Sequence, residues 1–212
     1  MSKINLDELN DMQYDVLKEI GNIGAGNATT ALAQMVNMKV DMSVPKVELV
    51  PFSQLADFIG SEEEQVVGML LQMSGDVDGM MMFFFNMRSA HNLVDMLMGR
   101  PITDDNDSDE FSEMDMSALS EIGNIISGAY LVALSKLTNL TIETSVPSMS
   151  IDMVGALLSV PAIEFGKLGD KLLFIQSQLG ENGCINGYFL MIPELESYDK
   201  ILGALGLSLI HI

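Results

Sequence analysis

An internal repeat constrains this chain more than any other feature. Residues 19–28 read EIGNIGAGNA and residues 121–130 read EIGNIISGAY, an offset of 102 positions. The same offset aligns Asp15 with Ser117, Glu19 with Glu121, Asn22 with Asn124, Val44 with Val146 and Pro45 with Pro147. Farther on, Asp78-Gly79-Met80 matches Asn186-Gly187-Tyr188 at an offset of 108, so the second copy carries a short insertion after Pro147. Units this long exceed the 20–45 residues of solenoid repeats and describe a duplicated half-domain. The 212 residues therefore read as a single domain, 1–212, made of two repeats, about 1–103 and 104–212. Residues 104–115 hold seven acids in twelve positions. They read as a solvated linker whose acids also complement the dipole of the helix that follows.

Each repeat has the same order of elements. Long helical patterns cover about 10–36 and 114–138, and Pro45 and Pro147 each open an extended segment. Apolar strand-like runs follow at 65–73 and 78–85 in the first copy, and at 156–163, 171–178 and 184–192 in the second. Glycine with Asp or Asn separates them, as in hairpin turns. Short amphipathic helices close the copies at about 87–98 and 194–205. The expected class is α+β: two half-domains related by a pseudo-two-fold, sharing one antiparallel sheet with the long helices packed on one face.

Composition removes several function classes. Ten Lys and Arg against thirty Asp and Glu give a formal net charge of −20. Nucleic acid is not an expected partner, because neutralising phosphates needs clustered Lys and Arg. An anionic membrane surface is disfavoured likewise. A lone Cys184 rules out an internal disulfide framework or a Cys-rich zinc site, and two histidines, His91 and His211, leave almost no material for a Ser-His-Asp triad. No metal of its own is expected. The N-terminus is acidic within seven residues, whereas a secretory leader opens basic and then runs apolar. No run of 18 apolar residues is apparent. The expectation is a cytoplasmic chain without membrane insertion, monomeric by itself.

On a helical wheel, Leu17, Ile20, Gly24, Ala28, Ala31 and Met35 form one stripe, with Asp15, Glu19 and Asn22 opposite. Leu119, Ile122 and Ile126 stand in the same way against Ser117, Glu121 and Asn124. A polar outer row on a helix is ordinarily solvation and nothing more. Here, however, the outer row is retained between the copies while the inner face has drifted, Gly24 to Ile126 for example. Gly21, Gly24 and Gly26 each weaken the helix by up to ~1 kcal/mol relative to alanine. They admit either tight helix–sheet packing or close approach of another surface. A dinucleotide-binding reading of GNIGAG fails, since no strand precedes it and the G-x-G spacing is missing.

The spacing [Asp/Ser]-x3-Glu-x2-Asn-x22-Pro thus occurs twice, at Asp15, Glu19, Asn22 and Pro45 and at Ser117, Glu121, Asn124 and Pro147. It resembles the signature of the CheC/CheX/FliY phosphatases of bacterial chemotaxis, and the resemblance covers essentially the whole chain. Two intact copies with no appended switch domain resemble the CheC branch. The resemblance implies a phosphatase for the aspartyl phosphate of the response regulator CheY, with Mg²⁺ carried by that partner. Asn22 and Asn124 would orient water, Glu19 and Glu121 would engage the regulator's lysine, and Asp15, Ser117, Pro45 and Pro147 would support them. It also suggests a second partner, the receptor deamidase CheD. Asp152, inside the run SMSIDMVGALLSV, is either part of that docking surface or an edge-strand acid that blocks unwanted pairing. The competing readings are a non-catalytic adaptor at the flagellar switch and a sink that binds phospho-CheY without turnover.

Overall fold

The computed structural model describes residues 10–36, 46–102, 110–165, 171–179 and 185–206. Pro45, Cys184 and the acids 104–109 lie outside them. The order of elements is α1 (Asp11–Val36), β1 (Lys46–Pro51), α2 (Leu55–Ile59), β2 (Gln65–Gly75), β3 (Gly79–Asn86) and α3 (Met87–Met98). The second half adds α4 (Glu113–Thr138), β4 (Ile142–Thr144), β5 (Ser148–Met153), α5 (Val154–Phe165), β6 (Lys171–Leu179), β7 (Ile185–Pro193) and α6 (Leu195–Ala204). The strands form one sheet in the order β1-β6-β7-β3-β2, with β4 and β5 both paired to the outer edge of β2. Every pairing is antiparallel.

That order is its own mirror under exchange of the halves. Swapping β1 with β5, β2 with β6 and β3 with β7 returns the same order read from the other side, with β4 the one strand that has no counterpart among the described residues. The axis passes through the β3–β7 pair, where Met82 faces Leu190, its equivalent at an offset of 108. Two hydrogen bonds repeat across it. The Asp78 amide donates to Ser197 Oγ at 2.8 Å, and the Asn186 amide donates to Ser89 Oγ at 2.9 Å. Ser89 and Ser197, and Asp78 and Asn186, are likewise 108 apart, so each half's closing helix ties down the other half's turn.

Both faces of the sheet are covered. Val67, Met69, Leu71, Met81, Phe83, Phe85, Phe189 and Met191 face α1, α3 and α4 in the main core. Val66, Met80, Met82, Phe84, Leu190 and Ile192 face the other way, with Val50, Leu55, Ile59 and Val154. Double coverage explains the unbroken run Met80–Phe85, since a strand buried on both sides has no reason to alternate. The run 156–163, expected as a strand, is instead the middle of α5. Apart from Ser159 its residues are apolar, and periodicity cannot separate a short strand from a helix in such a segment. By length and composition α4 could cross a bilayer. Its Leu119, Ile122, Ile126, Leu131 and Leu134 are buried in the core instead.

Both long helices open on the same device. The Asn10 and Gln13 amides donate to each other's side-chain oxygens at 3.0 and 2.9 Å. The equivalents 102 positions on, Ser112 and Asp115, form the same reciprocal box at 3.0 and 3.2 Å. The capping expected of the segment before α4 is thus made by specific hydrogen bonds as well as by the charge of its acids. Arg100, just past α3, donates to Asp115 at 2.8 Å and pairs with Asp95 at 3.5 Å, fastening α4 to α3.

The helices α1 and α4 pack directly on one another. The pseudo-two-fold is normal to the sheet, because it exchanges antiparallel neighbours while keeping both helices on one face; they therefore run antiparallel. Near the axis Tyr130 of α4 lies over Gly24 of α1 and against the Phe189 ring at 4.2 Å. The equivalent pair is Ile126 and Ala28, which both border a small apolar groove beside Phe83 and Phe85. A Cβ on Gly24 would lie 2.2 Å from the Tyr130 ring. Gly24 is therefore required by internal packing.

Two predictions follow from this packing. Gly24→Ala gains up to ~1 kcal/mol of helix propensity but meets an overpacking cost of ~1–3 kcal/mol, so thermal unfolding should show a net loss. Repeating it in a Tyr130→Ala background should reverse the sign; a loss in both backgrounds contradicts the steric cause. Asp115 gives the second. Its hydrogen bond from the Ser112 hydroxyl, opposed by partial burial and reinforced by the Ser112 amide and Arg100, holds its carboxyl below the usual aspartate range. A depressed carboxyl stabilises the fold above its unfolded pKa and loses that contribution as pH falls through the folded value. Asp115→Asn should therefore lower the urea midpoint at pH 7, with the gap to wild type narrowing as pH falls below the usual aspartate range of about 4. A gap that is constant with pH would rule out the ionised cap.

Candidate functional site

The capping boxes set where each long helix starts, and the buried stripe Leu17, Ile20, Gly24, Ala28 or Leu119, Ile122, Ile126 sets its rotation against the sheet. Residues three and four apart then share the outer face. Asp15, Glu19 and Asn22 on α1 are exposed, as are Ser117, Glu121 and Asn124 on α4. Each Glu and Asn are separated by three positions, which puts their Cβ atoms about 5–6 Å apart on adjacent turns. Among the described residues, no hydrogen bond or ion pair occupies the Glu19 or Glu121 carboxylate or the Asn22 or Asn124 amide. The Ser117 hydroxyl is used within its own helix, donating to the Glu113 carbonyl at 3.0 Å. Buried Ser127 donates to the Asn124 carbonyl at 3.0 Å and holds the backbone of the second row.

Pro147 sits beside the second row. A Cβ on Gly123, between Glu121 and Asn124, would approach the Pro147 ring at 3.6 Å and Met69 Sδ at 2.8 Å. Gly123 thus lets the segment before β5 lie against α4, which settles its role as internal packing. Asp152 is not part of this cluster. It lies on β5 opposite Val66, five residues or about 16 Å of strand beyond Pro147. Exposed there, it accepts from the Met153 amide at 2.8 Å. Its place on an outer strand fits an acid that discourages further pairing.

The antiparallel helices send the two rows in opposite directions from their crossing, which the Gly24–Tyr130 and Ala28–Ile126 pairs place at the level of Gly26 and Gly128. Along each helix the Glu–Asn pair lies about 8 Å from the axis, at 1.5 Å per residue. Among the described residues, no group of three or more His, Cys, Asp or Glu is placed to hold a metal ion. The arrangement can present a carboxylate to a cation and a neutral amide to an anion or a water molecule, twice over.

The spacing motif did not single out everything on these rows. At 100° per residue, Met12, Asp15, Glu19, Asn22 and Gly26 fall within about 80° of the wheel. Met114, Ser117, Glu121, Asn124 and Gly128 do the same on α4. Met12 and Met114 are 65% and 63% exposed. The signal that finds them is recurrence at the same offset in an exposed position.

The CheC-like family model matches residues 12–49 and 114–151, two segments 102 positions apart that contain both Glu–Asn pairs. The CheY-P phosphatase CheC of Bacillus subtilis (strain 168) is 37% identical over 204 residues, covering 95% of this chain and 97% of that protein. In three dimensions, Thermotoga maritima FliY superposes with a TM-score of 0.73 at 20% identity, covering 94% of this chain and 98% of that one. CheX in the CheX-CheY-BeF3-Mg²⁺ complex from Borrelia burgdorferi superposes with a TM-score of 0.50 at 19% identity, over 84% and 97%. With that identity across nearly its full length and both repeats matched, this chain belongs to the CheC-like family.

Proposed function

We propose that the protein is a phosphatase that hydrolyses the aspartyl phosphate of a CheY-type response regulator. The observation that carries this is the pair of exposed, internally unengaged Glu–Asn rows, repeated at one spacing on symmetry-related helices. The name of the Bacillus subtilis relative and the CheX–CheY complex support it. Glu19 and Glu121 pair with a lysine beside the regulator's phosphoryl group. Asn22 and Asn124 hold the attacking water in line through their amides. The partner supplies the acyl phosphate and Mg²⁺, whose charge offsets that of the phosphoryl oxygens. A loose phosphoryl-transfer transition state depends chiefly on positioning and electrostatics and develops little charge on the nucleophile. An exposed amide therefore suffices where a buried base is lacking. A neutral group also avoids repelling the anion, which matters in a chain of net charge −20.

In the same reading, the two repeats, about 1–103 and 104–212, are one domain that works as a cytoplasmic monomer. Asp15, Ser117, Pro45 and Pro147 support the rows. CheD is a second proposed partner, docking at the outer strand around Asp152; Asp152→Arg should then weaken CheD binding without changing dephosphorylation.

The test is phosphate release from a phosphorylated regulator with Mg²⁺. Asn22→Ala with Asn124→Ala should abolish stimulated release while thermal unfolding stays unchanged, and each single variant should keep the other row's activity. Losing one or two factors of ten per row corresponds to ~1.4 kcal/mol each. Glu19→Lys with Glu121→Lys should weaken affinity for the phosphorylated regulator. A double Asn variant as fast as wild type overturns the water-orienting role. Tight binding by wild type without hydrolysis would favour the switch-adaptor or sink reading instead.

A further inference from the structure

Mid-helix glycines weaken a helix, and two of those in the long helices have an internal reason. Gly24 makes room for Tyr130, and Gly123 for Met69 and Pro147. Gly26 and Gly128 are different. A Cβ on either would have nothing within 4 Å. The two are equivalents 102 positions apart, one turn beyond Asn22 and Asn124 on the same stripe. A lone glycine of this kind would be drift, yet here both halves keep it where the protein itself does not need it. At the other end of each stripe stands an exposed methionine, Met12 or Met114, again 102 apart. Solvated helix positions gain nothing from a large apolar side chain. In the second row, Val146, next to Pro147, adds another at 78% exposure.

We infer that each row is a docking footprint about four turns long, in which Met12 or Met114 anchors an apolar patch of the regulator and Gly26 or Gly128 lets the regulator's backbone lie close on the helix. This rests on the proposed function and extends that site to a surface that sets affinity. The occupant is the phosphorylated regulator rather than another protein, because the stripe is continuous with the Glu–Asn pair on both sides. Soft, unbranched methionine suits such contacts. The glycine provides the close approach that any Cβ would hold off.

Gly26→Ala with Gly128→Ala separates this from a structural role by the sign of two readouts. Filling open space with a better helix former should raise the melting temperature by about 2 °C or more for a chain this size. The same substitution should reduce kcat/KM for phospho-regulator at least tenfold, mainly through KM, and Gly→Gln should do so further. Met12→Glu with Met114→Glu should raise KM similarly at unchanged melting temperature. Kinetics equal to wild type in the alanine variant overturn the footprint, as does a fall in melting temperature, which would mean the positions are packed after all. If wild type does not dephosphorylate the regulator, the phosphatase reading fails. Titration with beryllofluoride-activated regulator and Mg²⁺ then decides the footprint alone: weaker binding by the variants supports it, and equal or no binding by wild type and variants overturns it.

Discussion

The pairing of β3 with β7 fixes everything else in this molecule. It joins the two halves at their midline and sets the axis that runs by Met82 and Leu190. The reciprocal bonds from Asp78 to Ser197 and from Asn186 to Ser89 lock the register. A one-residue slip would move every core side chain of the strand to the opposite face. Because the axis is normal to the sheet, α1 and α4 must lie on one face and run antiparallel. The rotation of each helix then follows from its buried stripe, and the outer rows from that rotation. Position and orientation of the Glu–Asn pairs are in this sense consequences of a strand pairing on the far side of the core.

The duplication tolerates asymmetry where only packing is at stake. Tyr130 over Gly24 has become Ala28 beside Ile126 on the other side of the axis, and the smaller pair leaves an apolar groove. The capping pair changed from Asn10 and Gln13 to Ser112 and Asp115 while keeping its geometry. The Glu and Asn of the rows did not change. Interior positions can exchange volume with a neighbour. A group that must meet a partner's phosphoryl and lysine cannot compensate within its own chain. That difference is the physical ground for reading the rows as chemistry rather than solvation.

Much of this was legible before any coordinates. The offset of 102 placed the duplication, the wheel placed Glu19, Asn22, Glu121 and Asn124 outside, and turn residues placed β2, β3, β6 and β7. Three things were hidden. The helix α5 reads as a strand because its almost wholly apolar run 156–163 has no period to distinguish the two. The short edge strand β4 and the helix α2 on the second face are too brief to carry a pattern. The roles of the glycines divided only once their neighbours were known: Gly24 and Gly123 face atoms of the protein, Gly26 and Gly128 face none. Side-chain spacing shows what a helix exposes, but only packing shows what it leaves empty.

The most direct test of the two-row mechanism is a structure of the protein with beryllofluoride-activated CheY and Mg²⁺. It should show α1 or α4 laid across the regulator's phosphorylation site. The amide of Asn22 or Asn124 should be within hydrogen-bond reach of a water in line with the phosphoryl mimic, and Glu19 or Glu121 should pair with the regulator's lysine. A regulator seated on the α2–α5 face or on an outer strand, with both rows facing solvent, would contradict it.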